Sequence, residues 1–281
     1  MSATPKSPHP KTDFAELRGI LAHLPSTDLA AASQSLEFAR RNRYEAAACD
    51  MALWMAAWQR RAAVKCDHPR VATFAGAVMP ANDPENLHAA KQWMQSASNG
   101  GDWLQYWCAA LDCDWRIYDM GLDFPAILPA ARSVDESTIA EAVAYGMMAV
   151  EQGIDILILQ LAGAGHDIAA KWMLRQPKTD PFELLMQLGS RDVAGLYGAM
   201  IAARMARVPV LVDGFDAAAL LSGLAHFAPS VLDHGMAVIA DESQSQILSS
   251  AFKNRLIAAP HPQPGLAQLP LCRAIAAHQS A

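Results

Sequence analysis

A chain of 281 residues, 52% of them apolar, can fill one large α/β domain or a domain with a smaller subdomain, and is too apolar for global disorder. A formal net charge of −6 without a long basic run excludes a nucleic-acid surface, but not a small anion held at a helix start. Five cysteines with no CxxC pair fit reduced thiols rather than a disulfide framework or a zinc site.

The opening MSATPKSPHPKTDF is polar and proline-rich and has no apolar leader segment. No apolar run reaches membrane-spanning length, so a soluble, cytoplasmic protein is expected. Residues 1–11 read as a flexible tail. Residues 12–68 carry a helical pattern and form an N-terminal arm or subdomain, broken at Pro25-Ser26-Thr27-Asp28, which offers a fresh N-cap. Within it Met51, Leu53, Trp54, Met55 and Trp58 make an apolar stripe suited to a core or a dimer contact.

After Pro69 the texture changes. VATFAGAV (71–78), WRIYDMGL (115–122), IDILILQL (154–161), VPVLVDGF (208–215) and MAVIA (236–240) read as strands. Helical stretches lie between them at 84–110, 134–151, 166–175, 180–207 and 216–227. Continuously apolar strands alternating with helices imply an α/β fold: a doubly wound, mostly parallel, Rossmann-like sheet covered on both faces. Residues 69–255 are expected to form this nucleotide-binding domain, and 256–281 a C-terminal extension.

Ligands of such a sheet bind beyond the C-terminal strand ends, so chemistry is sought just after each strand. In LAGAGHDIAA (161–170) the glycines Gly163 and Gly165 permit a tight turn, and the amides of Ala164, Gly165, His166 and Asp167 stand at a helix start that favours an anion. A plain tight turn explains the same residues. The third glycine of the dinucleotide fingerprint is missing, since position 168 is Ile168, and there is no P-loop. Asp213-Gly214 ends another strand, where the aspartate either orients a ligand hydroxyl or caps the next helix. Asp241 and Glu242 follow the last strand as possible general bases or as a solvated helix start. His226 and His234 lack metal-ligand spacing, so no metal and no cofactor is expected.

These segments, in this order, resemble the nicotinate-nucleotide:dimethylbenzimidazole phosphoribosyltransferase family, which makes the α-ribazole phosphate of the cobalamin lower ligand. The likeness runs from DESTIAEAVAYGMMAVEQGIDILIL (135–159) through the glycine turn and DPFELLMQLGSRDVAGLYGAMIAARMARVPVLVDGFDAAALL (180–221) to FAPSVLDHGMAVIADES (227–243). It implies that Gly163 and Gly165 match glycines that hold the nucleotide phosphate, that Gly189 and Ser190 match a Gly-Gly pair, and that Asp213, Gly214 and Phe215 match an Asp-Gly-Phe strand end. Two departures stand out. Leu161 replaces the family's loop glutamate, and no glutamate follows Glu242, where the family carries the one taken as base in Leu-Gly-Glu-Gly-Thr-Gly-Ala.

The resemblance implies a homodimer that binds nicotinate mononucleotide and passes its phosphoribosyl group to a benzimidazole-like aromatic base, Asp241 or Glu242 taking the proton. The departures leave a second expectation open: a catalytically silent paralogue that binds a nucleotide, a corrinoid-related ligand or a partner protein. A dinucleotide oxidoreductase fits poorly, because the fingerprint is incomplete.

Overall fold

The computed structural model describes residues 13–80, 84–128, 134–176, 179–253 and 255–281. The expected tail, residues 1–11, lies outside the described residues. Three helices open the chain: α1 (Phe14–Ala22), α2 (Leu29–Arg41) and α3 (Ala46–Gln59). Asp28 caps α2, its carboxylate accepting from the Ala31 amide at 2.9 Å, so the break read from the sequence is a true helix start. Then follow β1 (Pro69–Pro80), α4 (Pro84–Ser98), α5 (Trp103–Ala110), β2 (Asp114–Asp119), β3 (Ala126–Leu128) and α6 (Glu136–Met147). The second half holds β4 (Ile156–Ala164), α7 (His166–Leu174), α8 (Pro181–Leu188), α9 (Arg191–Ala206), β5 (Val210–Asp213) and α10 (Phe215–Ser222). The chain closes with β6 (Gly235–Ile239), α11 (Ser245–Phe252), β7 (Leu256–Ala258) and α12 (Leu269–Ser280).

Two stretches expected as single helices are split. Asn99-Gly100-Gly101 separates α4 from α5, and Gly189, left-handed at φ 70°, ends α8 just before α9 begins. The strands β3 and β7, three residues each, are too short to show a period and were not foreseen.

The strands run parallel in the order β2-β1-β4-β5-β6-β7, with β3 pairing the far end of β1. The sheet is wound outward from β1 in both directions, which makes the fold α/β and doubly wound. Alternate residues of each strand serve opposite faces. Val71, Ile156, Ile158, Leu211 and Val238 share one apolar cluster with Met51, Met55 and Trp58 of α3 and Leu269 and Cys272 of α12. Ala72, Phe74, Leu157, Leu159, Val210 and Val212 belong to the cluster that includes Val143 of α6, Tyr197 and Met200 of α9, and Leu220 of α10. Burial on both faces is why the strands read as unbroken apolar runs.

The helices α2 and α3 thus cover one face of this sheet, whereas Phe14, Leu17 and Leu21 of α1 belong to the cluster on the other. The indole N–H groups of Trp54 and Trp58 donate to the His234 and Asp233 carbonyls at 3.1 and 3.0 Å. The C-terminal residues also join the layer, through β7 at the sheet edge and α12 against α3. All five cysteines are free, and burial pushes the Cys66 thiol up to about 12. Among the described residues no helix is long and apolar enough to cross a membrane.

The longest pairing joins β1 to β4, from Pro69 opposite Ile156 to Ala77 opposite Ala164. At its C-terminal end the backbones close in. Gly163 (φ 127°) and Gly165 (φ 74°) sit where a Cβ would fall 1.8 Å from the Gly76 carbonyl oxygen and 1.6 Å from that of Val78. Both glycines are therefore required by the strand beside them, whatever else they do. A Gly165→Val substitution, strained and overpacked at once, is expected to cost about 3 kcal/mol or more in chemical denaturation; a variant as stable as the parent would contradict this contact.

Candidate functional site

At the C-terminal ends of β4, β5 and β6 lies a cleft of about 410 Å³. Its walls are Gln160 and Leu161 from β4, His166 from α7, Asp213 from β5, Gly214 to Ala217 at the start of α10, Ala240 and Gln244 after β6, and a loop from His261 to Pro264. A wider depression of about 690 Å³ at the opposite strand ends is lined by Arg70, already paired with Asp114 at 2.7 Å and Glu151 at 3.0 Å. Its charge is consumed in holding β1, β2 and the α6–β4 loop together, and we assign it no chemistry.

The glycine turn delivers His166 to this cleft. Gly165 is the left-handed N-cap of α7, and the His166 and Asp167 amides fall among the helix-start donors that lack an intrahelical acceptor. The His166 ring is anchored from behind: its Nε2 lies 2.5 Å from Asp192 Oδ2, and the Ser190 hydroxyl donates to the other oxygen of that carboxylate. Complete burial alone would push Asp192 up, yet the bond to His166, its charge and the Ser190 hydroxyl hold the carboxyl below its ordinary value. Ser190 therefore bears on the cleft through Asp192 and His166, and Gly189 supplies the turn before it. Gly163, Ala164, Gly165 and Asp167 adjoin His166 but are not among the residues of the cleft wall; Asp167 pairs with Lys171 at 2.9 Å.

Asp213 is the last residue of β5, and its side chain is 8% exposed. Its Oδ2 has no hydrogen-bond partner among the described residues. Burial pushes the carboxyl up to about 7, against the opposing pull of the Gly265 and Leu266 amides. Gly214, with φ 91°, turns the chain into α10, so Asp213 does not cap that helix. Asp216, in the first turn of α10, is also raised, by burial and then by the Asp167 charge. Gln160 donates to Thr73 Oγ1 at 2.5 Å and leaves its own Oε1 buried without a partner.

Asp241 and Glu242 are exposed and do not line the cleft, although they lie between Ala240 and Gln244, which do. The Asp241 carboxylate accepts from the Ser243 amide at 2.9 Å, capping its own turn. Sequence reasoning missed Gln160 and the His261–Pro264 loop. The latter had one visible signal, three prolines (Pro260, Pro262 and Pro264) and Gly265 set close around a histidine. Among the described residues no group of three or more His, Cys, Asp or Glu is arranged to hold a metal ion.

With this geometry in hand, known proteins supply the class. A family model described as Phosphoribosyltransferase, DBI_PRT, matches residues 166–261, which contain most of the cleft wall. The nicotinate-nucleotide–dimethylbenzimidazole phosphoribosyltransferase of Rhizobium rhizogenes is 28% identical over 266 aligned positions, covering 79% of this chain and 78% of that protein. The Allorhizobium ampelinum protein of the same name is 31% identical over 226 positions, 66% of each chain, and that of Brucella anthropi 28% over 295, covering 87% and 86%. The crystal structure of a Thermus thermophilus protein with this name superposes at a TM-score of 0.67 over 95% of both chains; at 18% identity it speaks for the fold. The chain is thus an α/β protein of phosphoribosyltransferase type. It belongs to the nicotinate-nucleotide–dimethylbenzimidazole phosphoribosyltransferase family.

The Asp213 carboxyl binds its proton more tightly in the folded chain than in the unfolded one. Its contribution to stability is therefore full below about 4 and is lost as pH rises through about 7. Compared with Asp213→Asn, the parent is expected to lose stability across that window by on the order of 4 kcal/mol. Denaturation of both proteins from pH 4 to 8 (roughly the span of the two values) checks this; parallel curves would place the carboxylate in water.

Proposed function

We propose that this chain binds nicotinate mononucleotide in the strand-end cleft and transfers its phosphoribosyl group to a benzimidazole-like aromatic base. The observation that carries the reading is one cleft holding two helix starts beside a buried carboxyl with one unpartnered oxygen, inside the segment matched by the family model. Its volume falls within the roughly 300–1,000 Å³ usual for small-ligand sites.

The residues divide the work by chemistry. Amides at the starts of α7 and α10, from His166 and Asp167 and from Phe215 and Asp216, supply donors and aligned dipoles for the phosphate. Gly163, Ala164, Gly165 and Gly214 shape the two turns that present them. Gly189 and Ser190 hold Asp192, which fixes His166 at the edge of the bound nucleotide. Positioning lowers the barrier by fixing the aromatic nitrogen against the anomeric carbon while nicotinate leaves. Oriented dipoles stabilise the charge that develops on the ribose. No cofactor enters this scheme.

Calorimetric titration with nicotinate mononucleotide tests the reading, beside His166→Ala. Micromolar binding is expected in the parent, weakened about tenfold in the variant, the effect of about 1.4 kcal/mol. Gly165→Val is unsuitable as a control because it breaks the β1–β4 contact. Absence of binding and of α-ribazole phosphate formation from benzimidazole would overturn the proposal.

The same reading includes a cytoplasmic homodimer. Free cysteines support a reducing compartment. Tyr106, Phe124 and Ile127, each more than half exposed, support an apolar surface shared with a second copy. Sedimentation is expected to give twice the 30.2 kDa of one chain, and a purely monomeric profile would remove the dimer.

A further inference from the structure

The cleft is not uniform in hydrogen-bonding character. The helix starts of α7 and α10 present donors, whereas Gln160 and Asp213 bring two buried acceptor atoms, Oε1 and Oδ2, that have no donor among the described residues. Buried acceptors left without donors are costly, and a ligand that brings an N–H to them recovers that cost. A phosphate dianion cannot do so, because its oxygens are acceptors and bring no N–H or O–H to these atoms. The acceptor side of the cleft therefore suits the N–H of the incoming aromatic base.

Among the described residues no other ionisable group of the cleft wall has a buried side-chain atom left without a partner. His166 is tied through Nε2 to Asp192, and His261 Nδ1 lies 3.0 Å from the Gln263 amide. Asp216 shares its surroundings with Asp167, His166 and Lys171. Asp241 caps its own turn outside the wall. Asp213 is held from above as well. A side chain on Gly265 would lie 2.9 Å from its Cβ, so the C-terminal loop rests directly on the carboxyl.

Building on the transferase reading, we propose that Asp213 is the catalytic base that accepts the N–H proton of the attacking azole. The azole nitrogen forms a bond to the ribose anomeric carbon. The bond from that carbon to the nicotinate nitrogen breaks, and its electron pair stays on the nicotinate ring. The azole proton passes to the Asp213 carboxylate and from there to solvent, so the step balances without a further reactant. Asp213 thus fills the place of the glutamate that this chain lacks. Its elevated titration, near neutrality, suits a base working at that pH.

The experiment uses the full chain, with Asp213→Asn and Asp213→Ser checked for folding by circular dichroism. Two acceptors are compared: benzimidazole, which must lose its N–H proton, and 1-methylbenzimidazole, which has none and yields a cationic product. Both variants should keep nicotinate mononucleotide binding within about threefold and lose about 100-fold or more of kcat with benzimidazole. With 1-methylbenzimidazole they should match the parent. The parent's kcat with benzimidazole should rise with pH to a plateau above about 7, a limb absent from the variants. His166, Asp167, Asp216, Lys171 and His261 are common to all three proteins and cannot produce that difference. Unimpaired benzimidazole turnover in the variants, or equal loss with both acceptors, would overturn the assignment of Asp213 alone. A parent that neither binds the nucleotide nor turns over would overturn the transferase reading, and this proposal with it.

Discussion

Everything at the cleft depends on how closely β1 and β4 approach at their C-terminal ends. The carbonyls of Gly76 and Val78 occupy space that side chains at 163 and 165 would need. In a sheet wound outward from β1, the gap between β1 and β4 is the switch point where ligand crevices ordinarily open. Here the pairing continues through Ala77 and Ala164 and closes that gap. The cleft lies one strand further along, over β4, β5 and β6. The same contact aims α7 so that His166 meets Asp192 at the start of α9.

The cleft also shows how an acidic protein can be arranged for an anionic ligand. Three of the negative groups around it are held by something nearby: Asp192 by His166 and Ser190, Asp167 by Lys171, and Asp241 by the Ser243 amide. Burial raises the two carboxyls of the wall, Asp213 and Asp216, and so disfavours their charged forms. Dipoles at two helix starts can then set the local potential despite the net charge. Asp213 keeps one oxygen without a partner, and its burial keeps it from being a permanent charge near neutrality.

The layered fold was legible because the central strands β1, β4, β5 and β6 are largely buried on both faces and many helices start at a capping aspartate, which are local properties. The helix breaks at Gly100 and Gly189 were hidden in stretches whose average texture stays helical. The glycine turn was legible as a turn, but its cause was not: a carbonyl of β1, some 87 residues earlier in register, cannot be read from local pattern. Asp213 was visible as a strand-end residue, whereas its burial is imposed by Gly265 and Leu266, which reach it only in the folded chain. For the same reason Asp241 and Glu242 looked like bases after a strand and are exposed.

The loop that roofs the cleft also bears on when the site comes into existence. β7 joins the sheet edge beside β6, and the segment after it turns back so that His261, Pro262, Gln263 and Pro264 form a wall and Gly265 seats on Asp213. Pro262 and Pro264 restrict this return path, so little entropy is lost in setting the roof. A ribosome has therefore made over nine-tenths of the 281 residues before the carboxyl loses its water. The wall of the cleft is complete only once the residues after β7 are in place, and the same segment, through Leu266, Leu269 and Cys272, also completes one face of the core.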